Sequence, residues 1–365
     1  MDKDVLAALA EIDKVNSYTS FLDDDAISSK VDSFINTGSY ALNAVCSGKL
    51  RDGGVPLNRV TVFAGPSRCG KTFILLNLIR EAQQMGLIPV VFDSENAISP
   101  ESAAKFGIDL SKVKYSQVFT IEETRNAAFK LFQKIKELKL EGKFALFIDS
   151  LGNLESEVNM TRMGKDSTAV DMGSNARAMK SLMKTLTGLG GQTKTTVVCS
   201  NHIYDNPAEM FPSLEKAMPG GKSLVYLPSV TIQMGLKPVK GDDGKTLDGK
   251  LAAGQKSYVG AVNRVLAVKN RFVKQFVQSE IYISFEKGLN KYYGLLDLAV
   301  GLGVIDQNGA TYTLGDRKLG YQKNFRHDTS LWEKEVIPLI EEAVSVEWAY
   351  SNKPYEDAED DSPEE

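Results

Sequence analysis

The run Val60-Thr61-Val62-Phe63-Ala64 leads into Gly65-Pro66-Ser67-Arg68-Cys69-Gly70-Lys71-Thr72, which is followed by Phe73-Ile74-Leu75-Leu76. A glycine, four residues, then Gly-Lys-Thr, set between an apolar strand and a helical pattern, is the context that a phosphate-binding loop requires. In such a loop the backbone N–H groups and the start of the next helix point at phosphate oxygens, because no intrahelical acceptor is available to them. Lys71 is then expected to reach the β and γ phosphates of ATP, and Thr72 to place its hydroxyl on Mg²⁺. Gly65, Pro66, Ser67, Arg68, Cys69, Gly70 and Phe73 complete the expected loop. The alternative is a glycine-rich turn that binds nothing.

Outward from this loop, apolar β-branched runs alternate with helical patterns. Strands are expected at 59–64, 88–93, 144–149, 195–200, 229–234, 262–269 and 279–284, with a helix over 72–85. Strands that are apolar almost throughout need cover on both faces, so the middle of the chain reads as a layered α/β domain. The glycine-rich stretch 235–260 reads as a hairpin insertion between two strands. Residues 291–350 change character, with a helix-rich pattern and turns at Gly294, Gly301, Gly303 and Gly309. They read as a small C-terminal domain.

Two of these strands end in acids. Phe144-Ala145-Leu146-Phe147-Ile148-Asp149 brings Asp149 to a strand end, where a Mg²⁺-bound water needs an acceptor; a helix N-cap is the alternative. Val90-Val91-Phe92-Asp93-Ser94-Glu95 carries Glu95 past its strand end, where a carboxylate could orient and deprotonate an attacking water; a solvated loop acid is the alternative. Lys269 and Arg271 leave an apolar strand at alternate positions and so project together. Such a pair either stabilises phosphoryl transfer or forms a basic edge that discourages strand pairing.

Composition narrows the remaining classes. No apolar run is long enough to span a bilayer, and the acidic, amphipathic start of the chain lacks the pattern of a signal peptide. Three separated cysteines and only two histidines leave no material for a zinc site, so a reduced, cytoplasmic setting is expected. The formal charge of -4 argues against coating DNA by bulk charge, yet residues 355–365 hold seven acids and no base. Without that tail the remainder is net positive, so the tail is expected to compete with duplex DNA for a basic surface.

That basic surface is local. Arg162, Lys165, Arg177, Lys180, Lys184 and Lys194 face only Asp166 and Asp171 between residues 160 and 194. Arg177, Lys180 and Lys184 recur at helical spacing and would present one face to a nucleic-acid backbone, or merely to solvent. At the start of the chain, Val5, Leu6, Leu9, Ile12 and Val15 fall on one face of a helix expected over 3–15. A polar linker follows it, and the folded core is expected to begin near Ile35.

Together the segments FAGPSRCGKT (63–72), VFDSENAISPE (91–101), ALFIDSLGNLES (145–156), SNHIYDN (200–206), Met218-Pro219-Gly220-Gly221-Lys222 and YYGLLDLAVGLG (292–303) resemble the RecA-type strand-exchange recombinases. Within that family they are most similar to the UvsX-type recombinases of T4-like phages. The resemblance runs from about residue 35 to 330; the IDSLGNL and NHIY stretches are its specific part, since phosphate loops are shared by many unrelated ATPases.

The resemblance implies a RecA-type P-loop ATPase core with a mostly parallel central sheet at 35–290. It implies a subunit-docking arm at 1–34, a small α/β C-terminal domain at 291–350 and an acidic tail at 351–365. It implies ATP and Mg²⁺ held between subunits of a helical filament on single-stranded DNA, which pairs with a homologous duplex and exchanges strands. A recombination mediator and a single-strand-binding protein are the implied helpers. By the same resemblance Glu95 is the catalytic glutamate, Asp149 the Mg²⁺-associated aspartate, and His202 the sensor of the γ-phosphate, although a lone histidine at a strand end is otherwise structural. Lys269 and Arg271 would reach the ATP of the neighbouring subunit, and Tyr292 would lie beside the adenine.

DNA loops are implied near 156–173 and 203–219. Met172 and Arg177 would serve the first, with Lys180 and Lys184 beyond it, and Tyr204, Met210 and Phe211 the second. Gly220, Gly221 and Lys222 would offer N–H groups to a DNA phosphate. One departure stands out: Ser102 occupies the position where bacterial relatives stack a tyrosine on adenine. A ring helicase on the same core and a P-loop switch that binds no DNA are the rival functions.

Overall fold

The computed structural model describes residues 2–16, 19–21, 31–163, 172–204, 216–237, 248–251, 255–258 and 260–350. Most of the expected linker, residues 164–171 of the first expected DNA loop, residues 205–215 of the second with Met210 and Phe211, and the acidic tail lie outside the described residues.

A nine-stranded sheet organises the chain. Its strands are β1 (Val60–Ala64), β2 (Ile88–Asp93), β3 (Lys114–Gln117), β4 (Phe144–Asp149), β5 (Thr196–Asn201), β6 (Val230–Lys237), β7 (Gly260–Asn270), β8 (Gln278–Ser284) and β9 (Gly288–Leu289). They lie in the order β9-β8-β7-β6-β1-β5-β4-β2-β3. The run from β6 to β3 is parallel, and β7, β8 and β9 extend it antiparallel.

Alternation along the central strands explains the layers. Phe63, Phe147 and Val198 point into one core, against helices α2 (Tyr40–Ser47) and α3 (Lys71–Gln84). Val60, Val62, Ala64, Leu146, Ile148, Val197 and Cys199 point into the other, against α5 (Ile121–Glu137) and α7 (Met172–Gln192). Each fully buried large side chain there contributes about 1.5–3 kcal/mol, and the polar side chains that these strands carry, Thr61, Thr196, Ser200, Thr231 and Gln233, are buried with them. Helix α4 (Pro100–Lys105) follows β2 and puts Ala103 into the first core, and α6 (Glu157–Met163) follows β4.

Between β6 and β7, Asp248–Leu251 pairs antiparallel with Gln255–Tyr258, a hairpin as the glycine pattern suggests. Residues beyond 290 are largely helical, as read, and add a three-stranded antiparallel sheet of Asp306–Asn308, Thr311–Leu314 and Arg317–Tyr321. It adjoins α8 (Leu295–Gly301) and the terminal helix α9 (Ile337–Glu347), over a core of Phe325, Trp332, Val336 and Ile340 that also takes Tyr40 and Leu50. The N-terminal helix α1 (Lys3–Val15) buries none of its residues, and Val5, Leu6, Leu9 and Ile12 are exposed.

Candidate nucleotide site at the strand ends

The parallel strands bring four loops to one end of the sheet. The first follows β1. Gly70 takes a left-handed conformation (φ 86°) at the start of α3, and a Cβ there would lie 2.5 Å from Ile283. A Cβ on Gly65 would meet the Cys69 sulfur at 2.6 Å. Both positions therefore require glycine, which is the turn chemistry of the motif. Lys71 is only 8% exposed. Its ammonium donates to the carbonyls of Gly65 (3.0 Å) and Pro66 (2.9 Å), so it is folded back over its own loop. Phe73 faces inward, edge-on to Phe106 at 4.5 Å between ring centres.

Asp149 ends β4 two strands away. Thr72 Oγ1 donates to its Oδ2 at 2.6 Å, and the Ser200 hydroxyl donates to its Oδ1. The turn Leu151–Asn153 is capped by Ser150, so Asp149 is not a helix cap. Burial pushes its carboxyl above the usual aspartate value, against the two hydroxyl donors, and the nearby Glu95 and Asp93 charges push the same way. A buried carboxylate beside a threonine hydroxyl, with excess negative charge around it, is a donor set that fits a divalent cation with oxygen ligands.

Glu95 follows β2. Its Oε1 accepts from the Ser150 hydroxyl and lies 2.9 Å from His202 Nε2, which follows β5. Its side chain is 30% exposed, so it is neither sequestered nor a free loop acid. Burial would raise its pKa; the Ser150 and His202 hydrogen bonds, and the His202 and Lys71 charges, outweigh that and hold it below the usual range. Gly152 lets these loops close: a Cβ there would be 2.7 Å from Asn201 Oδ1 and 3.0 Å from the His202 ring.

Asp93 is the residue that sequence reasoning left without a role. Fully buried, it accepts from the N–H groups of Glu95 (2.9 Å), Ala97 (3.4 Å) and Ile98 (3.1 Å) and from the Tyr115 hydroxyl (3.2 Å). It folds the loop that aims Glu95. The signal was a second acid, at the last position of an otherwise apolar strand. Asn201 acts similarly for the second loop: its Oδ1 accepts from His202 N–H (2.8 Å), and its amide donates to Pro219 (3.2 Å). Tyr204 and Ala217 pair beyond it, so the base of the loop is pinned.

This fold and this site meet a family model. The description RecA N-terminal domain matches residues 3–290. The chain belongs to the RecA family. The RecA protein of Symbiobacterium thermophilum is 30% identical over 330 residues, 90% of this chain and 87% of the relative. That of Bacteroides thetaiotaomicron is 32% identical over 292 residues, covering 78% and 79%, and that of Clavibacter michiganensis 30% over 347, covering 94% and 88%. The protein is thus a RecA-type recombinase and a DNA-dependent ATPase, the activity of a family that uses ATP.

Other expected residues lie elsewhere on the RecA core. Lys269 and Arg271 sit at the opposite end of the sheet: Lys269 pairs with Thr231 and Asn270 with Val230, beside the start of β1. From there to the phosphate loop is the length of β1, roughly 15 Å at about 3.3 Å per residue. β7 is flanked by β6 and β8, so these cations do not guard a sheet edge. The Lys269 ammonium donates to the Tyr226 carbonyl, and burial followed by the Arg271 charge pushes its pKa down.

Tyr292 is not at the phosphate loop either. Its hydroxyl donates to Glu333 at 2.6 Å, and its ring meets Tyr40 edge-on at 5.7 Å, which ties α2 to the C-terminal residues. Ser102 closes a capping box with Ser99. On α7, Arg177, Lys180 and Lys184 are exposed opposite the buried Met179, Leu182, Met183 and Leu186. Of the three expected phosphate donors, Gly221 N–H is spent on the Met218 carbonyl (3.3 Å). Gly220 and Gly221 both have positive φ, and Lys222 precedes the single helical turn Ser223–Tyr226.

Proposed function

We propose that this chain binds ATP and Mg²⁺ at the strand-end site, assembles into a helical filament on single-stranded DNA, and catalyses homologous pairing and strand exchange. The observation that carries the reading is the meeting of Lys71, Thr72, Asp149, Glu95 and His202 at one end of the sheet, with Lys269 and Arg271 at the other. Half of a phosphoryl-transfer site is present at each end, and a head-to-tail neighbour supplies the missing half.

ATP bound with Mg²⁺ supplies the transferable γ-phosphoryl group. Lys71 exchanges its two loop carbonyls for phosphate oxygens. Thr72 Oγ1 and Asp149 would hold the metal, which would neutralise charge on the phosphates. Glu95 Oε1 orients the attacking water and accepts its proton, with Ser150 and His202 fixing that oxygen. Lys269 and Arg271 of the next copy stabilise the charge that develops on the transferring group. His202 reports its contact through Asn201 to the base of the second DNA loop. Arg177, Lys180 and Lys184 bind backbone phosphates, Tyr204 stacks on a base, and the sequence is read by base pairing.

The exposed apolar face of α1 docks on a neighbouring copy, as the arm of residues 1–34. The finer resemblance to UvsX-type recombinases of T4-like phages points to work in a host cytoplasm, beside a mediator and a single-strand-binding protein. Among the described residues no helix is long and apolar enough to cross a membrane.

Pairing of a labelled single strand into a homologous duplex, with ATP and no other protein, tests the reading. Joint molecules that require ATP are expected. Unwinding in their place would identify a ring helicase, and neither activity would identify a P-loop switch.

A further inference from the structure

Lys269 and Arg271 share their end of the sheet with another cation. Arg59 directly precedes β1, and its carbonyl accepts from Val197 N–H at 2.9 Å, so its backbone is fixed at the head of the central strand. Arg59 and Arg271 line one cavity of about 350 Å³, and one Arg59 guanidinium nitrogen donates to the Asn58 carbonyl at 2.9 Å, which holds the side chain beside it. Thr187, Thr195, Ser229 and Gln192 supply the rest of its polar wall, although the Thr187 hydroxyl donates to the Met183 carbonyl (2.8 Å) and that of Thr195 pairs with Thr193 (2.9 Å). Among the described residues that line it there is no carboxylate.

The fold thus gathers two arginines into one half-enclosed, polar cavity. Burial and then the Arg271 charge push the Arg59 guanidinium down from its ordinary value, a cost that an anion in the cavity would remove. Hydroxyl donors and planar guanidinium forks are the groups that recognise phosphate oxygens. The own-chain phosphate loop is out of reach, since it begins at the far end of β1.

We propose that Arg59 is a further cation of the cross-subunit site, receiving with Lys269 and Arg271 the phosphate groups of the nucleotide held by the adjacent copy; this rests on the cross-subunit reading above. A fork placed there can donate two charge-assisted hydrogen bonds to the transferring group or its departing partner, and stabilise charge that appears only in the transition state.

The test mixes two inactive chains. Arg59→Gln should lower DNA-stimulated ATP hydrolysis on the order of 10²-fold, as loss of a transition-state donor does. Glu95→Gln should be inactive while still binding ATP. In a mixed filament, an interface with the ATP loop of an Arg59→Gln chain and the Arg59 of a Glu95→Gln chain is whole. Hydrolysis should therefore return to about a quarter of the wild-type rate when equal amounts assemble at random.

A parallel mixture of Lys269→Ala with Glu95→Gln calibrates the experiment. If Arg59→Gln alone keeps the wild-type rate, the proposal is wrong. If the Lys269→Ala mixture recovers and the Arg59→Gln mixture stays silent, Arg59 acts within its own chain; the proposal falls and the cross-subunit reading stands. If neither recovers, the cross-subunit reading falls and takes the proposal with it. Should Arg59→Gln melt earlier than wild type, Arg59→Lys, which keeps the charge and loses the fork, replaces it in the same mixture.

Discussion

His202 Nε2 lies 2.9 Å from Glu95 Oε1, so the loops that follow β5 and β2 meet at a single carboxylate oxygen, which the Ser150 hydroxyl also addresses. That oxygen is the proposed proton acceptor. Glu95→Gln should lower kcat by roughly 10²–10⁴-fold, the usual worth of a general base, while ATP-dependent filament assembly persists. Single-turnover hydrolysis and electron microscopy of the same sample measure the two together. Loss of assembly along with hydrolysis would mean that Glu95 builds the site and does no chemistry in it.

The same contacts set a pH dependence. They favour the charged form of Glu95, so their stabilisation is present above the pKa of a free glutamate and is lost as pH falls through the lower, folded value. The acid limb of hydrolysis should therefore lie below the usual glutamate range. Ser150→Ala removes one of the donors and should move that limb upward. A kcat profile on both proteins reads the shift.

Asp149 has the opposite sign. Burial raises its pKa, so protonation at low pH favours the folded chain, and the charged form at neutral pH costs stability that a bound cation offsets. Asp149→Asn should melt no lower than wild type without Mg²⁺. With ATP present, the further rise in melting temperature caused by Mg²⁺ should be absent in the variant, as calorimetry with and without the metal will record.

Asp93 holds three N–H groups and one hydroxyl with a fully buried carboxylate. Asp93→Leu leaves those donors unpaired and should cost roughly 3 kcal/mol or more in urea unfolding. Hydrolysis should fall as well, since the Glu95 loop loses its frame. An unchanged unfolding midpoint would mean that the loop is held by other contacts.

Arg177, Lys180 and Lys184 present three charges on the exposed face of α7. Replacing all three with alanine should weaken single-strand binding equally for all sequences. The slope of log affinity against log salt should fall by about 2, from about 0.7 per charge on a single strand. If the slope stays the same, that face is merely solvated.

Deleting residues 355–365 removes seven negative charges. Duplex binding should tighten, most of all at low Mg²⁺, where the tail competes best for the basic surface. Identical binding across a Mg²⁺ titration would remove the tail from the mechanism.

The central strands were legible because burial on both faces leaves an almost unbroken apolar signature; most of them match their expected bounds to within two residues, while β6 runs three residues further. The meeting of the phosphate loop, Asp149 and Glu95 at one end of the sheet was legible because each directly follows or ends such a strand. β3 was not, since Lys114-Tyr115-Ser116-Gln117 is a polar edge strand with no apolar period. Nor were the three short strands after residue 305, whose residues are mostly exposed or half-buried. Neighbours are what a sequence hides: whether Lys269 guards an edge depends on β8 lying beside β7. The same holds for Tyr292, whose hydroxyl is committed to Glu333, forty-one positions further along the chain.

The phosphate loop follows the end of β1, and Lys269 and Arg271 lie beside its start. Copies that complete one another's sites through these two ends must all point the same way, so the assembly inherits a direction from a single strand. Its terminal copies are then unequal: one holds nucleotide that no neighbour's cations reach, the other offers cations to no nucleotide. Turnover at the first should be slow, because on the proposed reading its transferring phosphate lacks the partner charges. On the proposed cross-subunit reading, a stretch of DNA covered by this chain would acquire a persistent end and a labile end, and the direction in which coverage recedes would be set before any second protein arrives.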